Sequence, residues 1–436
     1  MRRGKTSAWS IAARGAAPEC DPMTAADSST EILLRLRAGE LLGSTRLDLR
    51  GCSLAELPPE VLTLAGTLEV LDLTGNQLSS LPPALAQLTK LHTLFASNNR
   101  FTVLPPVLGQ LPVLDTLGFK ANRIAEVPAE SLSPSLRWLI LTDNRIPAMP
   151  STLTACPRMQ KLMLAGNRLS RLPEGMDRLQ RLELLRLSAN RFERVGDALP
   201  GELLSLPRLA WLAHAGNPFS EAREHTLAEA PAIPWSELQM QDVLGEGASG
   251  HIHAARWVPA GAPAQDVAVK LFKGAVTSDG LPECEMAATL AAGRHPDLVG
   301  ALGVLEGHPS GTHGLVLPRL ASHWKPLAGP PSMATCTRDV YADGLRLPAS
   351  HADALARAAT AALDHLHARG LTHGDLYAHN LLVDGCGRGL VSDFGAASFL
   401  PGEDPERAEA LKRVDRRALQ VLLDELSGLR EPRSMA

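Results

Sequence analysis

No stretch of this chain reaches the roughly 18 consecutive apolar residues that a membrane-spanning helix needs. Its parts are therefore expected in one compartment. An excess of basic residues is also missing. Lys and Arg number 43 against 47 Asp and Glu, a net charge of −4, which offers no electrostatic footprint for nucleic acid or an anionic membrane. The six cysteines, Cys20, Cys52, Cys156, Cys284, Cys336 and Cys386, lie far apart with no CxxC pair. They suit a reducing cytoplasm rather than a metal site or a disulfide framework. Basic residues open the chain at Arg2 and Arg3, but Ser7, Ser10, Arg14 and Gly15 interrupt any apolar segment behind them, and a secretion signal is not expected. Residues 1–27 read as a disordered extension, with 1–22 alternatively a misassigned start, since Met23 leads into the first helical pattern.

What is present is apolar side chain in quantity. At 436 residues and 45% hydrophobic, the chain has material for two or three packed domains. An internal repeat dominates the first half. The pattern LxxLxLxxN places its asparagine at Asn76, Asn99, Asn122, Asn144, Asn167 and Asn190, 24 or fewer residues apart, and again at Asn217 after a longer unit. An opening unit, Leu47 to Cys52, carries cysteine in that slot. Leucines such as Leu71 and Leu73 are expected to stack on their equivalents in neighbouring units, because no single unit can bury that face alone. The asparagine can both donate to and accept from backbone groups that the following turn leaves unpaired. Leu-Pro phrases such as Leu81-Pro82-Pro83 follow each turn, where a fixed φ suits an extended return arm without helix. These units resemble leucine-rich repeats over about 175 residues.

Ser28 and Glu31 form a capping-box pattern ahead of an amphipathic helix through Leu41, a cap over residues 28–44 for repeats at 45–219. Residues 220–236 read as a linker or short helix. A second domain is expected over 237–436.

That second domain opens with Gly245, Gly247, Gly250 and Ile252 in a GxGxxGxI pattern, a weak signal by itself. Downstream come Val267-Ala268-Val269-Lys270, then Glu285 in a helical stretch, with Glu283 as competitor. After another helix, expected over 352–369, come His373-Gly374-Asp375-Leu376-Tyr377-Ala378-His379-Asn380 and Asp393-Phe394-Gly395. Four motifs in this order resemble the protein-kinase fold, and the whole chain resembles bacterial leucine-rich-repeat protein kinases. The resemblance implies ATP and Mg as cofactors. Gly245, Gly247, Gly250 and Ile252 would cover the nucleotide, Lys270 paired with Glu285 would hold its phosphates, and Leu317 would back the adenine with 318–320 as hinge. Asp375 would take the proton of the attacking hydroxyl, and Asn380 and Asp393 would hold the metal.

Departures from the pattern qualify this. Gly374 stands where an arginine usually receives an activation-loop phosphate, so that form of control is not expected. Tyr377 replaces a phosphate-contacting lysine. No APE motif follows Asp393, and Asp415, ahead of a helix expected over 416–426, resembles the acidic anchor of the catalytic loop. Residues 322–350 show no helical period and read as a substrate-shaping loop or a slack insertion. The His-Gly-Asp form also resembles aminoglycoside and choline phosphotransferases, and a pseudokinase scaffold is a third reading.

The expected architecture is an α/β leucine-rich-repeat solenoid with a parallel sheet on its concave face, plus an α+β two-lobed protein-kinase-like domain with a reduced C-terminal lobe. The function expected is an ATP-dependent protein kinase, Ser/Thr-directed. Period-two alternation puts Phe95, Trp138, Ile140 and Met163 on the concave face, a candidate surface for a protein partner or substrate.

Overall fold

The computed structural model describes residues 11–12, 29–224, 231–247, 249–273, 276–277 and 279–431. The chain forms two compact units: one ends at Phe219, and the other runs from Ser220 onward and takes in Ile11–Ala12.

In the first unit, eight three-residue strands from Arg46–Asp48 to Trp211–Ala213 pair in parallel, each with its successor. Register is exact: Leu47, Leu71, Leu94, Leu117, Leu139, Leu162, Leu185 and Leu212 form one row, buried throughout. The asparagines tie one unit to the next. Asn144 Nδ2 donates to the carbonyls of Phe119 at 2.9 Å and Leu141 at 3.0 Å, while its Oδ1 accepts from the Ile124 N–H at 3.0 Å. In the opening unit Cys52 does this only weakly, its Sγ 3.6 Å from the Ser29 carbonyl.

The return arms differ from the extended form expected. The first proline of each Leu-Pro-Pro is extended, but the second opens a 3-10 helix, as in Pro59–Leu64, Pro83–Gln87 and Pro106–Gln110. Proline is well placed at a first helical position, where its missing N–H has no partner to lose. The N-terminal helix spans Ser29–Arg37 and stops short of Leu41; Ser28 lies outside the described residues.

The second unit has a mixed sheet built mainly from Leu238–Glu246, Gly250–Trp257, Gln265–Phe272, Gly314–Pro318 and Gly303–Glu306. Helices Pro282–Ala292, Ala349–Ala368 and Pro405–Gly428 accompany it. The stretch expected as a linker or short helix, 220–236, carries a short helix at Glu221–Glu224 and is partly built into this unit. Ala232–Pro234 pairs in parallel with Gly303–Glu306, because Ile233 is buried in the sheet's core. Within the expected extension, Ile11–Ala12 pairs in parallel with Gly245–Glu246 at the sheet edge; the rest of 1–27 lies outside the described residues.

Candidate active site

Cross-strand partners share a face of a sheet, as do residues two apart. Ile252 lies opposite Lys270, and Ala268 opposite Leu317, so these four side chains share one face. Val267, Val269 and Val316 take the other and bury with Ile233, Leu238, Ala255 and Leu305. The strand pattern thus separates a core face from an apolar face that carries one lysine.

The glycines shape the hairpin above that face. Gly245 pairs with Ile252, and the Gly247 N–H donates to the Gly250 carbonyl at 2.8 Å. A Cβ on Gly250 would lie 2.3 Å from the Leu271 carbonyl oxygen, so only glycine lets these strands approach.

Lys270 Nζ forms an ion pair with Glu285 Oε1. Glu285 is 5% exposed on its helix, whereas Glu283 faces solvent, so the pairing falls to Glu285. Burial alone would strip a proton from Lys270. The carboxylates of Glu285 and Asp393 outweigh it, raise the pKa and keep the ammonium charged.

Asp375, Asn380 and Asp393 are brought together by a hairpin. Leu381 pairs with Val391, and the Ser392 N–H donates to the Asn380 carbonyl at 2.9 Å, which sets Asn380 beside Asp393. Asn380 Nδ2 donates to both the backbone oxygen and Oδ2 of Asp375, each at 2.9 Å. Asp393 has φ +63°, an unusual conformation for a non-glycine residue, and its Oδ1 accepts from the Gly395 N–H at 3.0 Å. Gly395 stands between Asp393 and Glu285, a Cβ there lying 3.2 Å from Asp393 Oδ1 and 3.7 Å from Glu285 Oε2.

Asp415, 2% exposed, anchors the loop from the last helix. It accepts the N–H groups of His373 at 2.8 Å and Gly374 at 3.0 Å, and His367 Nε2 lies 3.0 Å away. Burial opposes ionisation of Asp415, but these partners outweigh it and hold the pKa below the usual carboxylate range.

The family described as protein tyrosine and serine/threonine kinase matches residues 238–417, and leucine-rich repeat matches residues 45–101 and 134–192. The chain joins leucine-rich repeats to a kinase domain. Neither match carries the bacterial part of the resemblance. A solved leucine-rich-repeat protein of Leptospira interrogans is 25% identical, covering 42% of this chain and 63% of its own, at a TM-score of 0.29. The chain spans less than two thirds of that protein. A search of curated proteins returned no match.

The kinase domain explains its departures locally. Gly374 has φ +71°, a conformation an arginine side chain would strain. Tyr377 is buried, its ring stacked on His379 with centroids 5.0 Å apart. After Asp393, Ser398–Phe399 pairs with Leu371–Thr372, and the helix starts at Pro405. The activation segment is therefore short. The helix expected at 352–369 spans Ala349–Ala368, and the one expected at 416–426 starts eleven residues earlier.

Several residues of the site escaped sequence reading. Ala268 shares the lysine's face, a position that period-two alternation could have revealed. Arg223 donates to the Leu400 carbonyl, and Cys284, next to Glu285, lies 3.5 Å from Glu224 Oε2; no periodic signal marks these contacts. Asp339 meets His379, pairing Oδ1 with Nδ1 at 2.7 Å. Burial would lower the His379 pKa, but Asp339 outweighs it and raises it.

On the repeats, Phe95, Gly118, Ile140 and Met163 lie in one row. A Cβ on Gly118 would lie 2.5 Å from the Phe95 ring and 3.7 Å from Ile140 Cδ1, so Phe95 crosses the glycine towards Ile140. Lys161 Nζ stands 4.3 Å from the Trp138 ring centroid, a cation–π contact. Met163 keeps only 9% exposure, so it offers less surface than expected.

Proposed function

We propose that this chain is an ATP-dependent protein kinase that phosphorylates Ser or Thr hydroxyls in the cytoplasm, with the concave repeat face recruiting a protein substrate. The substrate oxygen forms a bond to the γ-phosphorus, the bond from that phosphorus to the ADP oxygen breaks, and the hydroxyl proton passes to the Asp375 carboxylate. Lys270, held by Glu285, neutralises phosphate charge. Gly245, Gly247 and Gly250 let the backbone approach the phosphates, while Ile252, Ala268 and Leu317 receive the adenine on their shared face. Asn380 and Asp393 fit a magnesium ion. Both offer hard oxygen donors side by side, and with Nδ2 committed to Asp375 the Asn380 amide presents its oxygen. When bound, that ion would offset charge developing on the phosphates.

The observation that carries this reading is the buried Lys270–Glu285 pair beside Asp393, with Asn380 tying Asp375 into the same loop. A second reading, phosphoryl transfer to a small alcohol such as an aminoglycoside, draws on the short segment after Asp393 and on Gly374. Incubating full-length protein with γ-labelled ATP, dephosphorylated casein and an aminoglycoside panel separates these. Label on protein and its loss in Asp375→Ala, by about 10²- to 10⁴-fold, supports the kinase. Label on the small alcohol supports the second reading, and none on either points to a scaffold.

A further inference from the structure

The insertion between the strand Gly314–Pro318 and the helix Ala349–Ala368 delivers a buried carboxylate to the catalytic loop. The Asp339 side chain is 0% exposed, and a carboxylate so placed is costly unless it is paired and hydrogen-bonded. One residue supplies both bonds: the His379 backbone N–H donates to Oδ2 at 2.8 Å, and His379 Nδ1 lies 2.7 Å from Oδ1. Backbone and ring of His379 are thereby fixed together. The ring's other nitrogen, Nε2, lies 3.9 Å from Asp375 Oδ2, the same oxygen that accepts from Asn380 Nδ2. Stacking of Tyr377 on the imidazole further restricts its tilt.

The insertion that carries Asp339 is itself tied down. Gly329 and Val340 exchange backbone hydrogen bonds at 2.8 and 3.0 Å, and the Leu327 N–H donates to the Leu381 carbonyl at 2.9 Å, one residue beyond Asn380. Tyr341 Oη donates to Glu425 Oε2 at 2.7 Å. A slack loop would make none of these connections.

We propose that Asp339 and His379 are positioning residues for Asp375. The insertion fixes the imidazole; the Asn380 Nδ2 hydrogen bond holds the Asp375 carboxylate, and the fixed imidazole borders the same oxygen at van der Waals distance and limits its rotation. This rests on the reading of Asp375 as the group that takes the substrate proton. Because the pair acts on the carboxylate and not on the nucleotide, its loss falls on kcat and spares nucleotide affinity.

The test uses the full chain with γ-labelled ATP and dephosphorylated casein, alongside calorimetric titration with Mg·ADP. Asp339→Asn and His379→Phe are each expected to lower kcat about 10- to 100-fold, with the KM for ATP and the affinity for Mg·ADP within about twofold of the parent. The double variant should be no worse than the poorer single one, as coupled residues are non-additive. Should Asp339→Asn fail to fold, His379→Asn gives the same readout. A kcat within about twofold of the parent, additive losses, or an equal loss of Mg·ADP affinity would overturn the positioning role. If the parent transfers no more label than Asp375→Ala, the reading of Asp375 fails and the pair's role falls with it. Active parent with unaffected variants sinks the pair alone.

Discussion

His214 occupies the ladder position that Leu164 and Leu187 fill in the preceding repeats, and like them it is fully buried. Burial pushes its pKa down to about 4, because the interior penalises the imidazolium. The unfolded chain, with an ordinary histidine, takes up the proton at higher pH than the folded one. Stability is therefore intact above about pH 6.5 and is lost as the pH falls towards 4, by about 3 kcal/mol at most. Urea unfolding of the parent and of His214→Leu from pH 7 to pH 4.5 should show the difference between them growing steadily as acid is added. Parallel curves would remove His214 as the cause. At the same scale, the Cys284 thiol is held above its ordinary pKa by burial and by Glu224, so iodoacetamide should leave it unlabelled at pH 8 in the folded protein and label it after denaturation.

Among elements, the repeat ladder rests on its amides. Asn144→Ala removes a donor shared by the carbonyls of Phe119 and Leu141 and an acceptor for the Ile124 N–H. Leaving those buried groups unpaired should cost about 2 to 4 kcal/mol, read as a lower urea midpoint; a change within about 0.5 kcal/mol would show that other groups satisfy the turn. This ladder was legible in the sequence because each unit repeats one local rule. The grouping of Lys270 with Glu285, and of Asp375 with Asn380, was legible because motif order along the chain carries information that single motifs lack. Elements held by distant partners were not. The insertion around Asp339 has no period, since its order comes from His379, Leu381 and Glu425. Ala232–Pro234 lies in a proline-containing stretch that reads as linker, yet an edge position tolerates proline and Ile233 draws it into the core. The first half of Pro405–Gly428 is too charged to show an apolar stripe. Asp404, whose side chain accepts from the Arg407 N–H at 2.9 Å, and Pro405 at the first position were the start signals that could have extended it.

For the whole molecule, the proposed function assigns recruitment to the repeat unit and phosphoryl transfer to the kinase unit. Replacing Trp138 and Ile140 together by serine should leave the KM for ATP and the rate on a short Ser-containing peptide unchanged. The same change should lower kcat/KM for a protein acceptor about tenfold. Equal rates on both acceptors would separate the concave face from substrate choice. No helix among the described residues is long and apolar enough to cross a membrane. The scheme depends on a strand lysine, a helix glutamate and two loop oxygen donors serving a single nucleotide. Calorimetric titration with a non-hydrolysable ATP analogue in the presence and absence of magnesium measures that directly. One saturable, magnesium-dependent site per chain is expected, weakened at least about tenfold by either Lys270→Met or Asp393→Asn. Undetectable binding by the folded parent, or binding that both substitutions leave intact, would contradict it.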